Sequence, residues 1–207
     1  MAPDSEYGVE TPLVKRRLRA DARRNRDRLL IVADQVFASR GPGASTEDIA
    51  RAAGVGIGTL FCHFPTKEAL PEAVFVARLE HLAQVGDHLA SSDDAGAAFA
   101  TFFRQIVGEA QTKLIVAEAL ASAGVDLAHA AADTKRAFTL ALERLLRRAQ
   151  AAGAVRADIG LGEVVALIVG ASRAVQHLGS DASGQARTIQ VFLDGLAVHD
   201  PPTAART

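Results

Sequence analysis

Apolar residues recur at helical spacing through most of this chain, and polar or small residues interrupt them at regular intervals. Leu29, Leu30, Ala33, Val36 and Phe37 fall at i, i+1, i+4, i+7 and i+8, which predicts a first helix over about Arg24–Ser39. Gly41, Pro42 and Gly43 end it, because proline cannot continue a helix and glycine frees the backbone. A second helix is expected from Ser45. Ser45 and Asp48 match the S/T-x-x-D/E pattern in which each side chain satisfies the other's exposed backbone N–H. Ile49, Ala50 and Ala53 then face inward, Gly54 supplies a turn and Val55 fills the angle it makes. A third helix covers about Ile57–His63. Pro65 stops it, and Thr66 is the expected N-cap of a fourth helix from Lys67 to about Leu89.

Beyond Leu89 the pattern stays helical. Breaks are expected at Ser91–Asp94, Gly108–Thr112, Ser122–Asp126, Gly153–Gly162 and Gly179–Gly184. Asp133–Ala152 carries the clearest stripe, through Phe138, Ala141, Leu142, Leu145, Leu146 and Ala149. Glu163–Leu178 is apolar on most sides, the signature of a buried or interfacial helix, and Arg187–Val198 is amphipathic. The expected fold is all-α, with about nine helices: a three-helix head containing a helix-turn-helix, joined to a larger helical bundle. The expected organisation is a flexible arm over 1–20, the head over 21–68, the bundle over 69–199 and a frayed tail over 200–207.

Composition narrows the chemistry. The chain has 207 residues, 49% of them hydrophobic but only 5% aromatic and none Trp, so the core is built mainly of Ala, Leu and Val. Its single cysteine, Cys62, excludes an intrachain disulfide and a cysteine-based zinc site, and fits a reducing cytoplasm. No signal-like segment precedes the basic run, and the longest apolar run, Val164–Val169, is far short of a membrane span. None of the six histidines sits in an HExxH or a comparable pairing, the glycines near Gly54–Gly58 form no phosphate loop, and no cofactor or metal is expected.

Net charge is −1, which by itself argues against nucleic acid. Its distribution argues the other way. Lys15–Lys67 holds 11 Lys and Arg against 5 Asp and Glu, whereas the chain from Val76 onward holds 12 against 14. A basic head on a neutral-to-acidic body is the electrostatic layout of a DNA-binding module. Within it, Lys15–Arg28 has eight basic and two acidic residues, Arg23 and Arg24 among them. The run is either a solvated helix start or an arm that touches phosphates.

Two short helices joined by a tight glycine turn are the local grammar of a helix-turn-helix. A helix in the major groove needs small or polar outward side chains so that the backbone comes close to base edges. Gly56, Ile57, Gly58, Thr59, Cys62 and His63 offer such a face, while Leu60 and Phe64 point to the core and Phe61 falls between. Ser45, Thr46 and Lys67 sit at the starts of the flanking helices, where free N–H groups attract phosphate. Each position has a plainer reading: His63 as a surface cap, Thr46 as a helix cap, Gly58 as room for helix packing, Cys62 as a small neutral residue rather than a redox switch.

The segment from about Arg23 to Phe75 resembles the DNA-binding domain of the TetR family of transcriptional regulators, and the stretch IARAAGVGIGTLFCHFPTKEAL carries the likeness. The resemblance implies a recognition helix at Gly56–Phe64, with Ile57, Gly58 and Thr59 at bases or the nearby backbone. It implies backbone contacts at His63 and Lys67. Phe61 stands where the family usually has a phosphate-contacting Tyr, Cys62 where a larger side chain is usual, and Gly56 where Ser is the common cap. It also implies a homodimer on a palindromic operator and a variable pocket for a small-molecule effector. Pocket candidates are Phe99, Phe102, Phe103, Ile106, Leu114, Glu118, Phe138 and His129; the plainer reading of each aromatic is core packing. Candidate dimer residues are Val165, Ile168, Val169, Val175, Ile189, Phe192 and Leu196. The expected function is a dimeric, effector-released repressor that is not an enzyme and has no membrane partner. The competing readings are an activator, and a helical enzyme or small-molecule binder whose helix-turn-helix is only scaffold.

Overall fold

The computed structural model describes residues 12–41, 43–122 and 131–198, with side chains placed over 20–41, 43–109 and 131–198. Those residues form eight helices: α1 (Pro12–Arg40), α2 (Thr46–Ala52), α3 (Ile57–His63), α4 (Ala69–Leu89), α5 (Ala95–Ser122), α6 (Ala132–Ala151), α7 (Leu161–His177) and α8 (Ala182–Leu196). Among them there is no strand, only an isolated antiparallel bridge between Val155 and Ala197. The fold is all-α.

Two cores divide the molecule. In the head, Leu29, Ala33 and Phe37 of α1 close against Ile49 and Ala50 of α2, Leu60 of α3 and Leu70 and Val74 of α4. Each large apolar side chain removed from water there contributes about 1.5–3 kcal/mol. In the body, α5 is central: Phe99, Phe102, Phe103, Ile106 and Val107 follow the i, i+3, i+4, i+7, i+8 pattern and all are buried. They meet Leu82 of α4, Leu142, Leu145 and Leu146 of α6, Val164, Ile168 and Val175 of α7, and Leu193 and Leu196 of α8. The boundary expected at 68/69 therefore does not separate the cores. α4 starts in the head's core and ends in the body's.

Side chains and backbone close the helix ends. Asp94 accepts from the Ala97 N–H at 2.8 Å, Glu163 from the Gly160 N–H at 3.0 Å and Asp181 from the Gly184 N–H at 2.9 Å. The end of α4 is held from outside: Arg148 donates to the carbonyls of Ala90 and Ser92, and Arg144 pairs with Asp87 at 2.8 Å. Gly86 sets the spacing of α4 and α6. A Cβ at that position would lie 2.8 Å from the Ala141 Cβ and 3.0 Å from the Phe102 ring.

Three boundaries differ from the sequence reading by more than two residues. α1 starts at Pro12, well before Arg24. Proline at a first helical position sacrifices no internal hydrogen bond, and the Lys, Arg, Ala and Leu that follow are strong helix formers even without a stripe. Of the expected arm, residues 12–20 are thus helical and 1–11 lie outside the described residues, as does the tail over 200–207. α5 runs through Gly108–Thr112 without a break. One exposed glycine costs about 1 kcal/mol in a helix, which the buried residues before it offset. α8 begins at Ala182, because Asp181 supplies the cap within the expected Gly179–Gly184 break.

Candidate nucleic-acid interface

The turn between α2 and α3 is built around one residue. Gly54 sits at φ +67°, its N–H bonds the Arg51 carbonyl at 3.1 Å, and the Val55 N–H bonds the Ala50 carbonyl at 3.0 Å. This is a Schellman closure with glycine in the left-handed position, which side-chain-bearing residues rarely adopt. The turn sends α3 off at an angle that Leu60 and Phe64, both buried, then fix.

With those two side chains inward, the remaining face of α3 is open. Ile57 is 40% exposed and Phe61 37%, with Gly56, Gly58 and Cys62 exposed beside them and Thr59 and His63 half-buried. A Cβ added at Gly58 or Gly56 would meet nothing within 4 Å. Gly58 therefore does not serve helix packing within this chain.

Ser45 caps α2, its hydroxyl accepting the Asp48 N–H at 3.1 Å. The reciprocal half of the expected capping pair is not formed. The Asp48 carboxylate instead pairs with Arg51 at 3.0 Å and lies 3.6 Å from Arg40, stronger partners than one backbone N–H. Thr66 accepts from the Ala69 N–H at 3.1 Å, so the chain enters α4 through Lys67 and Glu68. A cleft of about 350 Å³ results, and it brings together Ser45, Thr46, Phe61 and Lys67 from three different elements.

The basic run of α1 divides into distinct roles. Arg23 is exposed; Arg24 pairs with Asp21 one turn earlier on the same helix. Arg26 lies over the Phe64 ring, 5.2 Å from its centroid, and so braces the end of α3. The sequence reading missed this role, because the contact joins residues far apart in the chain and nothing local marks one arginine of a run.

The other candidates lie in the body. Phe99, Phe102, Phe103 and Ile106 are buried core residues, and Phe138 packs on Phe102 with ring centroids 6.1 Å apart. Leu114 and Glu118 fall on α5, but their side chains, and all of His129, lie outside the described residues. Of the candidate dimer residues, Ile168, Val175 and Leu196 are buried in the protomer's own core. Their helices are amphipathic, and periodicity alone does not say which apolar flank turns inward. Val165 and Val169 are exposed, Ile189 and Phe192 half-buried, and Val191 is 68% exposed beside them in sequence. Among the described residues no group of His, Cys, Asp and Glu is placed to hold a metal, and no helix is long and apolar enough to cross a membrane.

A basic head that presents a short, open helix after a glycine turn, set on a larger helical body, defines a helix-turn-helix regulator. Comparison with known proteins agrees. Residues 29–74 match the profile of bacterial regulatory proteins, tetR family, and residues 94–198 match that of the transcriptional regulator SbtR-like C-terminal domain. The chain is similar to the crystal structure of a TetR regulatory protein from Mycobacterium vanbaalenii, with 39% identity, a TM-score of 0.71, and coverage of 87% of this chain and 99% of that one. It is also similar to the regulator SCO0520 from Streptomyces coelicolor, with 32% identity, a TM-score of 0.68, and coverage of 84% and 99%. A structure described as the molecular basis for control of antibiotic production by bacterial hormones shares the fold at 22% identity, a TM-score of 0.63, and coverage of 84% and 98%. No curated protein sequence matches. The chain belongs to the TetR family and is a DNA-binding transcriptional regulator.

Proposed function

We propose that this regulator is a homodimeric repressor that reads a palindromic operator in the cytoplasm and leaves it when a small molecule binds the body. It acts by binding rather than catalysis. One observation carries the DNA-reading part: α3 exposes Ile57, Gly58, Phe61 and Cys62 in open space beside a cleft that holds Thr46 and Lys67. Ile57, Gly58 and Thr59 take the base edges. Ser45, Thr46, Lys67, His63, Arg23 and Arg24 take the backbone, and Phe61 packs on sugar without a hydroxyl to offer phosphate.

Dimerisation is supported by the exposed valines of α7 and α8, Val165, Val169 and Val191, which a second copy would cover. A short recognition helix reads few bases, and two-fold pairing doubles the site it reads. Effector release is supported by a fold shared with a structure described as the molecular basis for control of antibiotic production by bacterial hormones.

Footprinting on the DNA upstream of the protein's own gene tests the reading. A protected palindrome is expected, with affinity falling as salt rises at a log–log slope of about −0.9 per phosphate neutralised. A flat salt dependence with no footprint refutes DNA reading. Protection of a single half-site by a monomer refutes the dimer. A reporter that rises rather than falls with the protein refutes repression.

A further inference from the structure

Leu70, Val74, Arg78 and Leu82 follow one another at four-residue steps along α4. The first two are buried in the head's core and the last in the body's. Arg78 marks the crossing point, and its side chain is only 15% exposed. Its guanidinium faces two ways. Nε donates to the carboxylate of Asp34 on α1, and Nη1 donates to the backbone carbonyl of Glu109 on α5 at 3.2 Å. Asp34 lies on the head's first helix, next to the buried Ala33. Glu109 lies on the body's central helix, where its carboxylate is occupied by Gln105 at 3.2 Å. One side chain thus ties head, linker helix and body together where the two cores separate.

We propose that Arg78 is a positioning residue that sets which half-site spacing the protein accepts. The inference rests on the two-headed reading above. In a two-fold dimer, the distance and angle between recognition helices depend on how firmly each head is held to its body. Adding one base pair moves a half-site by about 3.4 Å and turns it by about a tenth of a helical turn. Small rotations of the head about α4 compensate for such a change unless something resists them. A guanidinium resists well, because its donors point in fixed directions within one plane and engage two elements at once. A lysine in its place keeps the charge and loses the fork.

The test is a panel of duplexes in which the wild-type operator's half-sites are moved apart or together by one and two base pairs, with a duplex carrying one half-site as reference. Wild type is expected to bind the native spacing best. Arg78→Ala and Asp34→Ala are expected to shrink the penalty for a one-base-pair change about threefold to tenfold, the range for a partly buried charge-assisted contact. Affinity for the single half-site, its base preference and its salt slope stay as in wild type, because no phosphate contact is lost. Arg78→Lys falls between. If Arg78→Ala does not fold, as its thermal melt reports, Arg78→Lys and Asp34→Asn decide the matter through the same spacing profile. A profile unchanged in these variants beside a selective wild type overturns the role of Arg78 alone. Equal loss on half-site and full operator reduces the residue to a stabiliser and also overturns it. A wild type indifferent to spacing, yet tighter on two half-sites than on one, overturns this inference and leaves the two-fold reading standing; equal affinity for one and two half-sites overturns both.

Discussion

α3 and α7 are both apolar helices that leave large hydrophobic side chains in water. Ile57 and Phe61 on α3 are exposed to nearly the same degree as Val165 on α7, and Val169 reaches 48%. Their surroundings differ. α3 lies in the basic head beside Lys67 and the cleft that Thr46 lines, whereas 164–172 of α7 carry no charged residue and Gly170 among them faces the Phe192 ring of α8. Exposed apolar surface next to cations suits a polyanion with an apolar groove floor, and the same surface without charge suits another protein. Glycines divide in the same way. Gly58 and Gly86 both sit inside helices, yet a Cβ meets nothing at the first and collides with Ala141 at the second. One faces open space and the other its own chain.

The sharpest way to break this comparison is a charge on α7. In the proposed dimer, Val169→Asp would place a carboxylate from each copy at the seam, where like charges cost several kcal/mol, on the order of 3 or more. Sedimentation should show monomers with an unchanged helix content, and operator affinity should fall by more than about tenfold. A persistent dimer refutes α7 as its seam.

Two head substitutions sharpen the contrast within the DNA face. Lys67→Ala should weaken binding to all sequences and reduce the salt slope by about 1, while Ile57→Ala should cost about 1–3 kcal/mol on the operator and spare random DNA. Titrations against both duplexes at several salt concentrations separate them. Equal losses for Ile57→Ala on the two duplexes mean that the reading face is elsewhere on α3.

The two glycines should respond with opposite signs. Gly86→Ala is expected to destabilise the body by about 1–3 kcal/mol through overpacking against Ala141 and Phe102. Gly58→Ala should stabilise α3 by about 0.5–1 kcal/mol, from helix propensity alone, and weaken operator binding. Denaturant unfolding of both variants, with DNA binding of the second, checks the pair; a destabilised Gly58→Ala contradicts the open space around it. The smallest effect is expected of Phe61→Tyr. A hydroxyl at the cleft mouth adds about 1 kcal/mol of DNA affinity if it reaches a phosphate. Unchanged affinity in the same titrations shows that it does not.

Arg156 and Asp158 illustrate how little some visible pairs decide. The side-chain hydrogen bond from Arg156 holds the Asp158 carboxyl below the usual carboxylate range. A depressed acid stabilises the fold above its unfolded pKa and loses that contribution as pH falls through the folded one. Both groups are exposed, so water screens the pair and its weight in folding is slight.

Much of the head was legible because its information is local. Ser45 as a cap, Gly54 as the turn, Leu60 and Phe64 as inward anchors and Leu89 as the end of α4 all follow from residues within a few positions of one another. Propensity, capping and turn chemistry act at that range. The length of α1 was less legible, since its basic start carries propensity but no stripe. The sequence by itself determined the all-helical class, the glycine turn and which end of the molecule is basic. Tertiary structure decided which of several apolar flanks turned inward. Phe99, Phe102 and Phe103, and likewise Ile168, Val175 and Leu196, are buried in the protomer's own core. It also decided which arginines of many found a partner: Arg26 on Phe64, Arg78 between Asp34 and Glu109. The reason is the same in each case. A helix's period defines a face, but only the packing of distant helices says what that face meets.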